Sequence, residues 1–138
     1  MLYLSYAIQW HILRFCIKIY KNKSFYKWAK KEGIKDLEIA KAVVEMEQGL
    51  IGADLEDICI KKRVPLRNRG KSSGARTLVA YKKSNKAFFL YGFAKNERAN
   101  ISDRDQKALK ELGDYYLSLS IRSLSHAIDK RRLFEVKL

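Results

Sequence analysis

Lys61 and Arg63 stand two residues apart in a stretch of alternating polarity, and Arg76 opens the next apolar run. A period of two places Lys61 and Arg63 on one face of an extended strand, and an antiparallel neighbour starting at Arg76 adds a guanidinium beside them. Like charges gathered on a sheet face cost stability unless an anion sits among them, so the pattern points to phosphate. The plainer alternative is a set of solvated strand residues. The loop between the two strands, Pro65-Leu66-Arg67-Asn68-Arg69-Gly70-Lys71-Ser72-Ser73-Gly74, adds Arg67, Arg69 and Lys71. Glycines at 70 and 74 let backbone N–H groups come close to a nucleic-acid backbone. Further along, Phe93-Ala94-Lys95-Asn96-Glu97-Arg98 supplies Lys95, Asn96 and Arg98, with the Phe93 ring as a surface on which a base could stack. Tyr81, Phe89 and Tyr91 are similar candidates, although strand aromatics more commonly pack in cores or across strands.

The chemistry these residues suit is metal-free cleavage of RNA. The 2′-hydroxyl attacks the adjacent phosphorus, so the protein must accept one proton, stabilise the phosphorane charge and protonate the leaving oxygen. Arginine fits the charge-stabilising role because its planar fork holds phosphate oxygens in fixed geometry. A lysine crowded by cations loses its proton more readily, which makes Lys61 or Lys95 a conceivable acceptor. Glu97, the acid of the segment, could act as a base or hold Arg76 or Arg98 in place. Gly70-Lys71-Ser72 looks superficially like a nucleotide-binding P-loop, but Pro65 stands where its first glycine belongs and the flanks are strand and strand. No metal or other cofactor is expected: Cys16 and Cys59 lie far apart, and His11 and His126 sit near opposite ends without a ligand cluster.

The elements that must position these groups follow from periodicity. A first strand is expected over Ile17 to Lys21, then a helix from Phe25 to Glu32 capped by Ser24 and closed by Gly33. Asp36 caps a second helix with Ile39, Val43, Met46 and Leu50 on one stripe, ended by Gly49 and Gly52. From Asp57 the period is two, with Ile58, Ile60 and Val64 opposite Cys59, Lys61 and Arg63. Arg76–Tyr81 and Ala87–Ala94 form further strands around a turn at Lys83-Ser84-Asn85-Lys86. Ser102 and Asp105 form a capping signal for a last helix bearing Leu109, Leu112, Tyr116 and Leu119 on one face. Leu133–Val136 is a short strand or an ordered tail. This order gives an α+β domain: a mostly antiparallel sheet with helices on one face and the charge on the other.

The chain of 138 residues is the size of one domain, and its formal charge of +14, from 29 Lys and Arg against 15 Asp and Glu, favours a polyanionic partner. Residues 1–16 form an apolar extension ahead of a domain over 17–138. Gln9, His11 and Arg14 interrupt the extension, so it has the pattern of neither a signal peptide nor a membrane anchor. A reducing cytoplasm and no membrane partner are expected.

The chain resembles the RelE/HigB branch of the RelE/ParE toxin superfamily. The resemblance rests on Phe25-Tyr26-Lys27-Trp28-Ala29-Lys30-Lys31-Glu32-Gly33-Ile34, Lys61-Lys62-Arg63-Val64, Gly70-Lys71-Ser72-Ser73-Gly74-Ala75-Arg76-Thr77-Leu78 and Tyr91-Gly92-Phe93-Ala94-Lys95-Asn96-Glu97-Arg98, in that order. It implies a RelE-like fold and the toxin of a type II toxin–antitoxin system that cuts messenger RNA in the ribosomal A site, leaving a cyclic phosphate. It also implies a cognate antitoxin, in the HigB group usually a helix-turn-helix DNA-binding protein. By position, Lys61 and Arg63 match the family's basic strand pair, Arg76 its strand-opening arginine, and Lys95 and Arg98 its terminal basic motif. Asn96 stands where RelE has an arginine, and Ser102 lies near the place of a RelE tyrosine. These departures leave open a relative that binds RNA or the ribosome without cutting; a second alternative on the same fold is a gyrase-inhibiting toxin like ParE, against which the cluster of Arg76 and Lys95 to Arg98 speaks.

Overall fold

A computed structural model describes residues 17–49, 62–65, 74–94 and 101–137, together with the backbone of 53–55 and 59–61. Strand β1 (Lys18–Asn22) runs straight into helix α1 (Lys23–Glu32). With no loop between them, the cap falls on the last strand residue and not on Ser24: Asn22 Oδ1 accepts from the Phe25 N–H at 2.7 Å. Gly33, at φ 74°, closes the helix in the left-handed conformation and its N–H returns to the carbonyls of Ala29 and Lys30. Helix α2 (Asp36–Glu47) begins one residue before expectation, capped at Lys35, and Asp36 joins its first turn. The Asp36 carboxylate is thereby free to accept from Lys21 Nζ at 2.6 Å and from the Lys137 N–H at 3.0 Å, tying β1 and the chain end to α2. The buried stripe of α2 includes Ile39, Val43 and Met46, as its spacing requires; Leu50 and Gly52 lie outside the described residues.

The described strands form one sheet. After α2 come β2 (Ala53–Leu55), β3 (Cys59–Val64), β4 (Ala75–Lys82) and β5 (Lys86–Ala94), and β6 (Leu133–Glu135) closes the chain; their order across the sheet is β2-β3-β4-β5-β1-β6. The β1–β5 pair is parallel and the other pairs are antiparallel, so the α+β class and mostly antiparallel sheet stand as expected. Helices α1 and α2 cover one face through Phe25, Ile39 and Val43 against Ile19, Val79 and Phe89. The opposite face also receives helices. Leu109, Leu112 and Tyr116 of α3 (Asp103–Leu117) and Leu124 of α4 (Ile121–Asp129) pack on Tyr20, Ala80, Phe88 and Leu90. The cause is β5, an almost unbroken apolar run whose residues 87–90 are buried on both faces and therefore need cover on both.

A register shift in β5 decides what each face presents. Leu78 pairs with Tyr91 but Val79 pairs with Phe89, which leaves Leu90 as the extra residue of a bulge. Phe89 consequently joins the α1/α2 core, whereas Leu90, Tyr91 and Phe93 all turn toward α3. The displaced Leu90 carbonyl accepts from Asn22 Nδ2 at 3.0 Å, so one buried asparagine both caps α1 and satisfies the bulge. At Gly92 the Trp28 ring packs so closely that a Cβ would lie 2.2 Å from its Cζ3. The β4–β5 turn is held from α2: the Glu47 carboxylate accepts from the Ser84 N–H at 2.9 Å and from the Tyr81 hydroxyl.

Candidate nucleic-acid interface

The register of the central strands builds the site. Arg63 of β3 lies directly opposite Arg76 of β4, and Arg76 lies opposite Phe93 of β5. Side chains so paired in an antiparallel ladder share a face with their Cβ atoms about 5 Å apart. Arg63 is exposed and Arg76 half-buried. The Arg76 Nε is buried and, among the described residues, has no hydrogen-bond partner. Two guanidiniums on adjacent strands, one with an unspent buried donor, form a fork that suits an oxyanion. Two residues along the sheet, Lys61 occupies the register position opposite Leu78, which is in turn opposite Tyr91.

Lys62 lies between these cations in sequence and away from them in space. Alternation turns it to the α2 face, where it is 6% exposed and donates to Glu45 Oε2 at 2.6 Å. The Lys-Lys-Arg run is therefore two different devices on two faces: an outward Arg63 and an inward ion pair that fastens β3 to α2. The fully buried Thr77 adds a second fastening, its hydroxyl donating to the Lys62 carbonyl at 2.9 Å across β3 and β4. Both contacts fix the register that sets Arg63 against Arg76.

Of the expected site residues, the structure brings together Arg63, Arg76 and Phe93, with the Lys61 backbone one register step away. The base-stacking role expected of Phe93 does not fit its position. The ring is 4% exposed, packed among Leu78 and Ile101 and tilted against Tyr91 at 6.0 Å, so it closes the row on the β5 side as a buried apolar neighbour. Tyr91 is half-buried and is the more accessible ring of the pair. Arg67, Arg69, Lys71, Lys95, Asn96, Glu97 and Arg98 lie outside the described residues. Their segments leave from strand ends that share a row, since Val64 pairs with Ala75 and Ala75 with Ala94, next to Arg63, Arg76 and Phe93. Ser102 caps α3, its Oγ accepting from the Asp105 N–H at 3.1 Å.

Neither arginine row nor lysine row contains a carboxylate or imidazole among the described residues. Nor do three His, Cys, Asp or Glu side chains gather among them to form a ligand set. Among the same residues no helix is long and apolar enough to cross a membrane. Among the described residues this face therefore presents two opposed arginines beside a buried aromatic, an arrangement chemically suited to an oxyanion.

No curated protein and no solved structure gives a match to the chain. A family model does, described as the RelE toxin of the RelE/RelB toxin–antitoxin system and aligned over residues 17–136. That span runs from the residue before β1 to the one after β6 and includes the whole arginine row, and on it the chain belongs to the RelE toxin family.

Proposed function

We propose that this toxin is a metal-independent endoribonuclease that cleaves messenger RNA on the ribosome and so stops translation, held in check by a cognate antitoxin. The observation that carries the reading is the direct opposition of Arg63 and Arg76. Like charges facing each other across a ladder are unfavourable in the free protein, and a phosphate between them turns the repulsion into charge-assisted hydrogen bonds. As the 2′-hydroxyl attacks, negative charge grows on the non-bridging oxygens, where the two guanidiniums are already oriented. Membership in the RelE family supports the same chemistry.

In this scheme Arg76 stabilises the phosphorane, Arg63 chiefly binds the phosphate, and Lys61 neutralises the flanking backbone. Arg98 completes the phosphate contacts with Lys95; the base that takes the 2′-hydroxyl proton is Glu97 or whichever of Lys61 and Lys95 stands as the neutral amine, and the departing oxygen takes a proton from the remaining ammonium or from water. Arg67, Arg69, Lys71 and Asn96 bind RNA from the two segments that leave the row. The antitoxin is of the helix-turn-helix kind that HigB-like toxins use, and the toxin acts in the cytoplasm. Programmed ribosomes incubated with the purified protein test this. Messages are cut by the wild type, with ends that map to the A site, and Arg76→Ala lowers the cleavage rate by about a hundredfold or more. Uncut messages with wild-type protein, or an Arg76→Ala variant as active and as toxic in cells as the parent, would sink the proposal.

A further inference from the structure

Where α3 ends, α3, α4 and the turn into β6 border an open hollow of about 610 Å³, within the range of roughly 300–1,000 Å³ that small-molecule sites occupy. Its wall is aromatic and its edge cationic. Tyr116 is fixed by stacking on Phe88 at 5.3 Å and 15°, and Tyr115 leans on Tyr116 at 5.5 Å while 58% exposed. The half-buried Leu119 extends this apolar wall. Arg122 and His126 stand four residues apart on α4 and so share a helix face. Arg132 follows Arg131, whose φ of 58° turns the chain, and the Arg132 N–H donates to the Ala127 carbonyl at 2.9 Å, which ties that turn to α4. Burial holds the Tyr116 hydroxyl above its ordinary pKa, Tyr115 adds to the shift and Arg132 opposes it, which sets the guanidinium close to the tyrosine wall. Among the described residues none that lines the hollow is acidic, and no carboxylate pairs with Arg122 or Arg132.

Two guanidiniums held at one edge, with an imidazole as a further donor and no carboxylate among them, call for an anion of more than one charge. A carboxylate carries one, whereas a phosphate monoester carries about 1.5 to 2 at neutral pH and offers three acceptor oxygens to the planar arginine fork. The bare tyrosine beside these cations offers a flat face on which a planar ring can stack, and the wider ring of a purine covers more of it. We propose that the hollow binds a free purine nucleoside monophosphate, its phosphate among Arg122, His126 and Arg132 and its base stacked on Tyr115 beside Leu119. The site is distinct from the arginine row: Arg63 and Arg76 lie on β3 and β4, whereas Arg132 immediately precedes β6 at the far edge of the sheet. Its occupancy depends on neither RNA cleavage nor an antitoxin.

Calorimetric titration of the full chain with adenosine 5′-monophosphate tests this. The chain carries Arg63→Gln and Arg76→Gln, so that the arginine row cannot supply the phosphate contact. Adenosine and ribose 5-phosphate, each lacking one half of the ligand, are expected to bind at least about tenfold more weakly. Adding Arg122→Gln and Arg132→Gln weakens adenosine monophosphate by about tenfold or more. Adding Tyr115→Ser weakens adenosine monophosphate and leaves ribose 5-phosphate unchanged, the mark of a stacking contact. Arg122, Arg132 and Tyr115 are exposed, and unaltered thermal unfolding confirms the fold of each variant. Upfield movement of the adenine H2 and H8 proton resonances on binding reports the same stacking with the hollow intact. No binding of the nucleotide, inorganic phosphate bound as tightly as the nucleotide, or binding that survives loss of Arg122 and Arg132 would each overturn the proposal. So would a single-stranded RNA without terminal phosphates that binds through Arg122 and Arg132 while the mononucleotide does not, which would make the hollow an RNA surface. Message cleavage plays no part in the titration, so this reading and the cleavage reading fail separately.

Discussion

Removing Glu45 is expected to cost far more than removing its partner Lys62. The Lys62 side chain is 7% exposed and its Nζ lies 2.6 Å from Glu45 Oε2, while the Glu45 side chain is 20% exposed. Glu45→Ala takes the carboxylate from an ammonium that water can barely reach, and breaking such a pair costs about 3–5 kcal/mol; the partial exposure of Glu45 argues for the lower end, ~3 kcal/mol. Lys62→Met keeps most of the stem volume and leaves a carboxylate that can hydrate, so its cost is about 1 kcal/mol. The joint change Glu45→Leu and Lys62→Met replaces the pair by apolar contact beside Val64 and returns to within about 1 kcal/mol of the parent. Urea unfolding measures all three: with a slope of roughly 1.5 kcal/mol/M, the Glu45→Ala midpoint falls by about 2 M. Because Lys62 faces α2 and Arg63 faces away from it, Lys62→Met should also leave any RNA cleavage at the parental rate. The reasoning is refuted if Glu45→Ala costs no more than Lys62→Met, if the joint variant is as unstable as Glu45→Ala, or if Lys62→Met behaves like Arg76→Ala in the cleavage assay.

Arg76→Leu is expected to lose cleavage while matching or exceeding parental stability by a few tenths of a kcal/mol, roughly what relief of an opposed like-charge pair provides; a large loss of stability would instead mark Arg76 as structural. Gly92→Ala drives a methyl into Trp28, a clash worth about 2 kcal/mol, and Trp28 emission should shift as the ring is displaced; a silent substitution would contradict the packing. Burial, with help from Glu135, pushes Tyr20 up to about 12, and burial with the Glu47 hydrogen bond pushes Tyr81 up as well. Since both phenols bind protons more tightly when folded, their stabilisation is full below pH 10, the ordinary tyrosine value, and is lost above it. Tyr20 alone accounts for about 2–3 kcal/mol across that alkaline window, and Tyr20→Phe should flatten the unfolding-versus-pH curve there.

Much of this was legible in the residues because periodicity and opposed function coincide. The alternation around Lys61 and Arg63 placed a strand correctly, and an arginine at the head of the next run was enough to foresee the cross-strand pair. The α2 stripe and the Ser102 cap were equally plain, each being a local property of a few spaced side chains. The Asn22 cap was not, because it depends on β1 ending without a loop, and the competing Ser24 satisfies the same local rule one position inside the helix. Lys62 was hidden by its neighbours: in a basic run nothing local separates a cation bound to solvent from one bound to Glu45, seventeen residues earlier in sequence. The second helical layer was missed for a related reason. Helix α3 was expected but assigned to the wrong face, while the nine-residue α4 was not expected at all although its side chains are strongly segregated; the demand for both comes from the far side of β5.

The β5 bulge explains how Phe93 comes to lie on the arginine face. Counting by two from Phe89 puts Tyr91 and Phe93 on the α1/α2 face, and only the extra residue at Leu90 brings them round to the face of Arg76, with Phe93 directly opposite it. Phe93, 4% exposed, is the cross-strand neighbour of the half-buried Arg76 on the same face, so an apolar wall flanks the arginine on that side. That arrangement raises the electrostatic worth of Arg76 toward a phosphate above that of the exposed Arg63, since the same charge acts through a lower effective dielectric. It follows that the two arginines are unequal: Arg63→Ala should mainly weaken a salt-sensitive contact with RNA, and Arg76→Ala should mainly remove stabilisation of the phosphorane. Single-turnover cleavage at saturating ribosomes separates these effects, with Arg63→Ala approaching the parental rate and Arg76→Ala remaining slow. Equal rate defects at saturation would show that the bulge and its buried ring confer no advantage on the arginine beside them.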